Sequence, residues 1–173
     1  LFDSHDTPRA GSMIVNGAFD KEQNYLNKED FDYDKSERSS PRSYQEYDIS
    51  RLTAKQQQIL RLATLFQMTS VGAPMIYYGT EVGMVGADDP DDRMPMLWED
   101  IEYENQTKGP RGEKSTGKKT TKVDQSLLEY FRSAIALRND NSALRRGAFN
   151  ILAAHDHHQL IAYSRTLGDE KLV

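Results

Sequence analysis

Residues 73–78, Ala-Pro-Met-Ile-Tyr-Tyr, form a short apolar run closed by Gly72 on one side and Gly79 on the other. An unbroken apolar stretch leaves no polar face for water, so the run predicts a buried strand. Pro74 has no N–H to donate and fits only near the first residue of such a strand. The flanking segments carry a different period. Ile59, Leu62, Ala63 and Phe66 recur at i, i+3, i+4 and i+7, which predicts a helix over 52–70 with that stripe facing the core. Thr53 and Gln56 match a capping box, in which each side chain satisfies an orphan amide at the helix start. Leu128, Phe131 and Ile135 share a face of a second predicted helix over 125–138, with Asp124 as its N-cap. Helix, strand, helix is the order of an α/β layer.

The remaining sequence supplies little core. Hydrophobic residues make up 37% and charged residues 28% of the 173, and the polar ones concentrate in two stretches. Residues 19–50 hold nine acids against five bases and read as a solvated loop or insertion. Residues 102–123 read as a polar loop, with six Lys or Arg between Lys108 and Lys122 against Glu113 alone. Residues 148–152 and 159–164 alternate apolar and polar, a hairpin pattern. Leu1 and Phe2 suggest a strand end, and 171–173 the start of another strand. With no initiator Met, both ends look cut, and the chain is expected to be a fragment. Its length falls short of a complete (β/α)8 barrel, which needs at least about 200 residues.

Several classes are excluded. With no cysteine there are no disulfides, zinc–thiolate sites or thiol nucleophiles. No apolar run reaches the roughly 18 residues of a membrane span. The first six residues lack the charged and apolar regions of a signal peptide, and the compartment stays unassigned. A net charge of −5 argues against general nucleic-acid binding, which wants a basic face.

Three features can carry chemistry. His5-Asp6 follows the predicted strand end, where α/β barrels keep catalytic groups; an Asp before Thr-Pro also suits a plain turn. The loop 79–93 holds Asp88, Asp89, Asp91 and Asp92 within five residues, followed by Arg93. Such hard oxygen ligands can bind Ca²⁺. The Gly and Glu of an EF-hand are missing, so turn-plus-ligand contact is preferred, with Arg93 holding one or more of the carboxylates. Residues 112–119 nearly match a phosphate-cradling loop. Lys119 stands where that loop needs Ser or Thr and no apolar strand precedes it, so a surface loop is expected and a nucleotide-binding module is the weakest reading. His155, His157 and His158 read as exposed residues of the hairpin turn.

Taken together, these motifs resemble the α-amylase family, glycoside hydrolase family 13. "LFDSHDTPR" at 1–9 looks like its fourth signature region and "GAPMIYYGTEVGM" at 72–84 like its eighth barrel strand and following loop. "DPDDRMPMLW" at 89–98 resembles that loop in the neopullulanase, cyclomaltodextrinase and maltogenic-amylase branch. Residues 127–149 look like the eighth barrel helix leading into the β-sandwich domain C. Pro8 and the long polar stretch 19–50 depart from the pattern of that branch.

The resemblance implies an α/β fold: the C-terminal fragment of a (β/α)8 TIM barrel, from the end of strand seven to helix eight, then the first antiparallel strands of a β-sandwich. Residues 1–145 would belong to the barrel domain, with insertions 19–50 and 102–123, and 146–173 to domain C. It implies that Asp6 is the family's third catalytic carboxylate, which stabilises the transition state, and that His5 binds the same sugar. Asp89 and Arg93 would contact the next sugar toward the non-reducing end. Glu81 and Tyr78 would support the barrel mouth. The parent would be a retaining hydrolase of starch, maltooligosaccharides or related α-glucans, with a non-catalytic sugar-binding relative as the alternative. The nucleophile Asp and acid/base Glu would lie upstream of Leu1, leaving this chain inactive alone. No cofactor or metal is required, though Ca²⁺ in the parent stays open. The uncovered strand edges are expected to lead either to self-association or to packing of the two helices with the β-rich tail as a small α/β unit.

Overall fold

The computed structural model describes residues 2–16, 47–48, 50–108, 114–119 and 121–173, with backbone alone for 106–108 and 114–119. Most of the expected insertion 19–50 therefore lies outside the described residues. The elements run α1 (Ala10–Val15), α2 (Ala54–Thr69), a 3₁₀ turn (Thr80–Val82), β1 (Gln106–Lys108), β2 (Lys114–Lys119), α3 (Gln125–Asp140), α4 (Ser142–Arg146), β3 (Ala148–His155), β4 (Leu160–Leu167) and β5 (Glu170–Leu172). The chain divides into two compact units, one of residues 1–61 and 76–128, the other of 62–75 and 129–173. Among the described residues no helix is long and apolar enough to cross a membrane.

Both predicted caps form. The Thr53 amide donates to Gln56 Oε1 at 2.9 Å and the Gln56 amide to Thr53 Oγ1 at 3.3 Å, the reciprocal capping box. Asp124 Oδ1 accepts the Leu127 amide at 3.0 Å and Oδ2 accepts Gln57 Nε2 at 2.7 Å. The buried faces differ from the predicted stripes. In α2 the buried positions are Leu60, Thr64 and Met68, while Leu62 and Phe66 are exposed. In α3 they are Leu127, Phe131, Ala134 and Arg138, and of the predicted stripe only Phe131 is fully buried. Both helices are apolar on more than one face, and periodicity alone cannot say which face the chain covers.

Residues 73–77 take no regular secondary structure, residue 78 enters a turn, and none of the six is buried, contrary to the predicted buried strand. A parallel barrel strand exists through its neighbours, and among the described residues both sheets are antiparallel: β1 with β2, and β3-β4-β5 in that order. The polar segment 102–123 is not wholly loop, since β1 and β2 pair within it. The near-match at 112–119 thus lies largely on a strand, where a phosphate cradle needs a loop opening a helix.

The predicted hairpin is present and longer than the alternating pattern. Phe149 pairs with Arg165 and Ala148 with Thr166, with an irregularity between Ile151 and Ala153. Tyr163 stacks on Phe149 at 4.8 Å between centroids, meets the Phe66 ring edge-on at 5.9 Å, and hydrogen-bonds through its hydroxyl to Thr69. Two buried guanidiniums close the end of α2. Arg138 donates to the carbonyls of Met68 (2.7 Å), Ser70 (3.0 Å) and Gly72 (2.5 Å). Arg165 donates to Thr69 O at 2.7 Å, Ser70 O at 2.9 Å and Gly147 O at 2.9 Å. Cations here satisfy orphan carbonyls and oppose the negative end of the helix dipole. Burial pushes the Arg138 pKa down, with Arg165 and then Arg145 adding repulsion.

Candidate functional site

The site is built in the first unit from two chain segments, 3–12 and 77–93. Buried Asp3 joins them, its Oδ2 accepting the Ala10 amide at 3.0 Å and the Thr80 hydroxyl at 2.6 Å. The Ser12 hydroxyl accepts the Gly86 amide at 2.8 Å, and Gly86 O accepts the Arg9 amide at 3.0 Å. Arg9, with no exposed surface, donates from Nε to Asp92 O at 2.8 Å and from Nη1 to Tyr78 O at 2.5 Å. Its guanidinium carbon lies 4.6 and 4.8 Å from the ring centroids of Tyr77 and Tyr78, a cation–π clamp. The Tyr78 hydroxyl donates to Met94 O at 2.7 Å. The Tyr77 hydroxyl is pushed up to about 12, by burial first and then by its bond with Tyr78.

Two glycines permit this packing. Gly79 sits at φ +87°, a left-handed conformation, and a Cβ there would stand 2.2 Å from Met84 Sδ. At Gly86 a Cβ would meet backbone, 2.7 Å from Asp91 O and 2.8 Å from Asp92 Cα. Gly86→Ala is therefore expected to destabilise the chain by about 1–3 kcal/mol, since backbone rather than a flexible side chain must shift. Urea denaturation checks this; an unchanged midpoint would show that the close approach is not required.

On this frame the four residues singled out in the sequence come together at the surface. The Ser4-Thr7 turn, with the Ser4 amide on Thr7 Oγ1 at 2.8 Å and the Asp6 amide on Ser4 Oγ at 3.2 Å, presents His5 and Asp6 outward. His5 Nε2 lies 3.0 Å from Asp6 Oδ2. Arg93 Nη2 donates to Asp6 Oδ1 at 3.0 Å, while its Nε reaches Asp89 Oδ1 at 2.9 Å and His5 O at 2.8 Å. One guanidinium thus bridges two carboxylates and a backbone carbonyl. All four side chains stay solvent-accessible, that of Asp6 by 63%. The arrangement offers carboxylate acceptors and guanidinium donors at fixed spacing, which suits vicinal hydroxyls.

Other candidates fall apart from this cluster. Glu81 lies in the 3₁₀ turn, with a buried Oε2 that has no hydrogen-bond partner among the described residues. Among those residues no three His, Asp or Glu are grouped to hold a metal. His155, His157 and His158 are exposed around the β3–β4 turn, with His157 and His158 5.0 Å apart between ring centroids. Sequence reasoning missed the roles of Asp3, Arg9 and Ser12, and it named Asp92 only as one of four loop carboxylates, not as a buried one. Arg9 and Asp92 stood inside the quoted motifs, yet nothing in their local pattern marks a charged residue as buried.

Residues 1–147 match the family described as "Alpha amylase, catalytic domain". Neopullulanase 2 of Thermoactinomyces vulgaris is 40% identical over 110 residues, 64% of this chain and 15% of that protein. The cyclomaltodextrinase of Geobacillus thermopakistaniensis is 37% identical over 114 residues, 66% of this chain and 16% of its own length. A solved cyclomaltodextrinase aligns with 71% of this chain and 18% of its own at 31% identity and TM-score 0.52. The chain thus spans about a sixth of the length of these two curated relatives.

Proposed function

Because the chain belongs to the alpha-amylase catalytic-domain family, and so carries part of a (β/α)8 barrel, we propose that the cluster of His5, Asp6, Asp89 and Arg93 is one wall of an α-glucan-hydrolysing active site. The observation that carries the reading is the Arg93 bridge. It holds both Asp6 and Asp89 to one cation, at 3.0 and 2.9 Å, while leaving them open to solvent.

In this reading Asp6 accepts hydrogen bonds from the hydroxyls of the sugar whose glycosidic bond breaks. As positive charge grows on the oxocarbenium-like centre, the fixed carboxylate opposes it, a stabilisation stronger in the transition state than in bound substrate. His5, joined to Asp6, adds a polar contact to the same sugar. Asp89 and Arg93 hold the neighbouring sugar through paired acceptor and donors. No cofactor enters this chemistry. A retaining hydrolase also needs a nucleophile and an acid/base, two carboxyls about 5–5.5 Å apart. The reading places both in the larger part of the protein, beyond the segment that these residues represent.

The division of labour sets the test. The purified chain is expected to release no reducing sugar from maltooligosaccharides above buffer, while a longer protein containing this segment releases it. Release proportional to the amount of purified chain would overturn the assignment.

A further inference from the structure

Five residues beyond Arg93 the same loop carries the one tryptophan of the chain. Trp98 is 56% exposed, and Met94, between the two, is 54% exposed. The backbone beneath them is pinned at both ends. The Trp98 amide donates to the Tyr103 hydroxyl at 2.7 Å, that hydroxyl donates to Met96 O at 3.3 Å, and the Ile101 amide reaches Trp98 O at 3.4 Å. At the near end the Tyr78 hydroxyl donates to Met94 O at 2.7 Å, and Arg93 is tied to Asp6 and Asp89. Five residues of backbone span at most about 18 Å, so the Cα of Trp98 stands within that distance of the Arg93 Cα.

We propose that Trp98 is a binding subsite for α-glucan, its indole face carrying a pyranose ring while the exposed carboxylates of Glu99 and Asp100 accept hydroxyl hydrogens. Resting on the glucan-binding reading above, the same oligosaccharide continues onto the Arg93 cluster. Trp98 takes no part in bond cleavage; it lengthens the grip on the sugar chain.

The residues that accompany the indole decide its occupant. Glu99, Asp100, Glu102 and Glu104 are all exposed, and no Lys, Arg or His stands between positions 94 and 107. A protein surface laid over Trp98 would strip water from carboxylates to which this segment offers no cation, at a large cost. Nucleic acid and anionic lipid are repelled by the same charges. A neutral polyhydroxylated ligand meets both halves of the patch. Its hydroxyls donate to ionised carboxylates, which can only accept, and the C–H face of its ring lies on the indole. An aromatic side chain on an anchored backbone also gives up little freedom on binding.

With one indole in the chain, its fluorescence reports on Trp98 alone. Maltoheptaose is titrated into the whole chain while two signals are followed, the indole emission and the Arg93 Nε–H resonance by NMR. Both are expected to respond with one midpoint, the emission moving to shorter wavelength as sugar displaces water from the ring. On the Arg93 signal, Trp98→Ala should weaken binding about tenfold, and Trp98→Phe, which keeps an aromatic face, about threefold. An Arg93 resonance that moves while the emission stays still overturns the subsite and leaves the cluster reading standing. Trp98→Ala that binds as tightly as the wild type does the same. Emission that responds while Arg93 stays silent upholds the subsite and fails the cluster reading. Silence of both signals overturns both. If Trp98→Ala does not fold, the two wild-type signals decide by the same criteria.

Discussion

Arg9→Met is expected to lower the stability of the chain by about 3–5 kcal/mol, because it strips charged donors from one buried and one part-buried carbonyl. Arg9 has no exposed surface and donates to Tyr78 O at 2.5 Å and Asp92 O at 2.8 Å. Methionine nearly fills the same volume, so little of the loss comes from a cavity. It comes from two unsatisfied carbonyls, at about 1–3 kcal/mol each, and from the lost contact with the Tyr77 and Tyr78 rings. Lysine should rescue only in part, since a single ammonium cannot reproduce the planar fork that meets both carbonyls.

The loss should also depend on pH. The folded-state pKa of Asp92, about 6, lies above the ordinary value of 3.8, so the folded chain holds this proton more tightly than the unfolded one. Stability from this group is full below about 4, falls as pH rises toward about 6, and is level above. Removing Arg9 takes away the cation that most eases ionisation of Asp92, so the midpoint of the decline moves up and the Arg9→Met deficit widens above pH 6. Urea denaturation at about pH 5 and pH 8 measures both effects. A loss under about 1 kcal/mol, equal at the two pH values, would show that Arg9 is not the tie between the two segments.

What the sequence reveals and what it hides divide along physical lines. Caps are local: Thr53 with Gln56, and Asp124 with Leu127, join residues three apart, so their side chains announce the helix starts. The hairpin is legible for the same reason, since period-two alternation and a polar turn lie next to each other in the chain. The surface cluster was legible through the motifs around His5, Asp6, Asp89 and Arg93, whose contacts span more than eighty positions. Periodicity could not have joined them; resemblance did. Burial is the least legible property. Exposed Leu62 and buried Leu60 are equally apolar, and the difference lies in which face meets another part of the chain. The buried charges Arg9, Asp92, Arg138 and Arg165 were missed because composition places such residues at the surface. Three of the four are arginines whose donors meet backbone carbonyls, which no side-chain pattern encodes.

Asp6→Asn, made in a longer protein that contains this segment, is expected to lower kcat by about 10²–10³-fold with a much smaller change in KM. Asparagine keeps the shape of the side chain and one acceptor oxygen, so ground-state contacts to sugar hydroxyls largely survive. It removes the negative charge, whose value grows only as the sugar becomes cationic, and the loss therefore falls on the chemical step. The fold should hardly notice. The Asp6 side chain is 63% exposed and its bond to Arg93 is a surface ion pair, of a kind worth roughly 0–1 kcal/mol. Arg93 keeps Asp89 and the His5 carbonyl as partners when Asp6 loses its charge. Steady-state kinetics on maltooligosaccharide, paired with a melting curve, separate the two effects. A variant that keeps more than about a tenth of wild-type kcat would remove Asp6 from the transition state. A melting temperature that falls in step with activity would instead make it a structural residue.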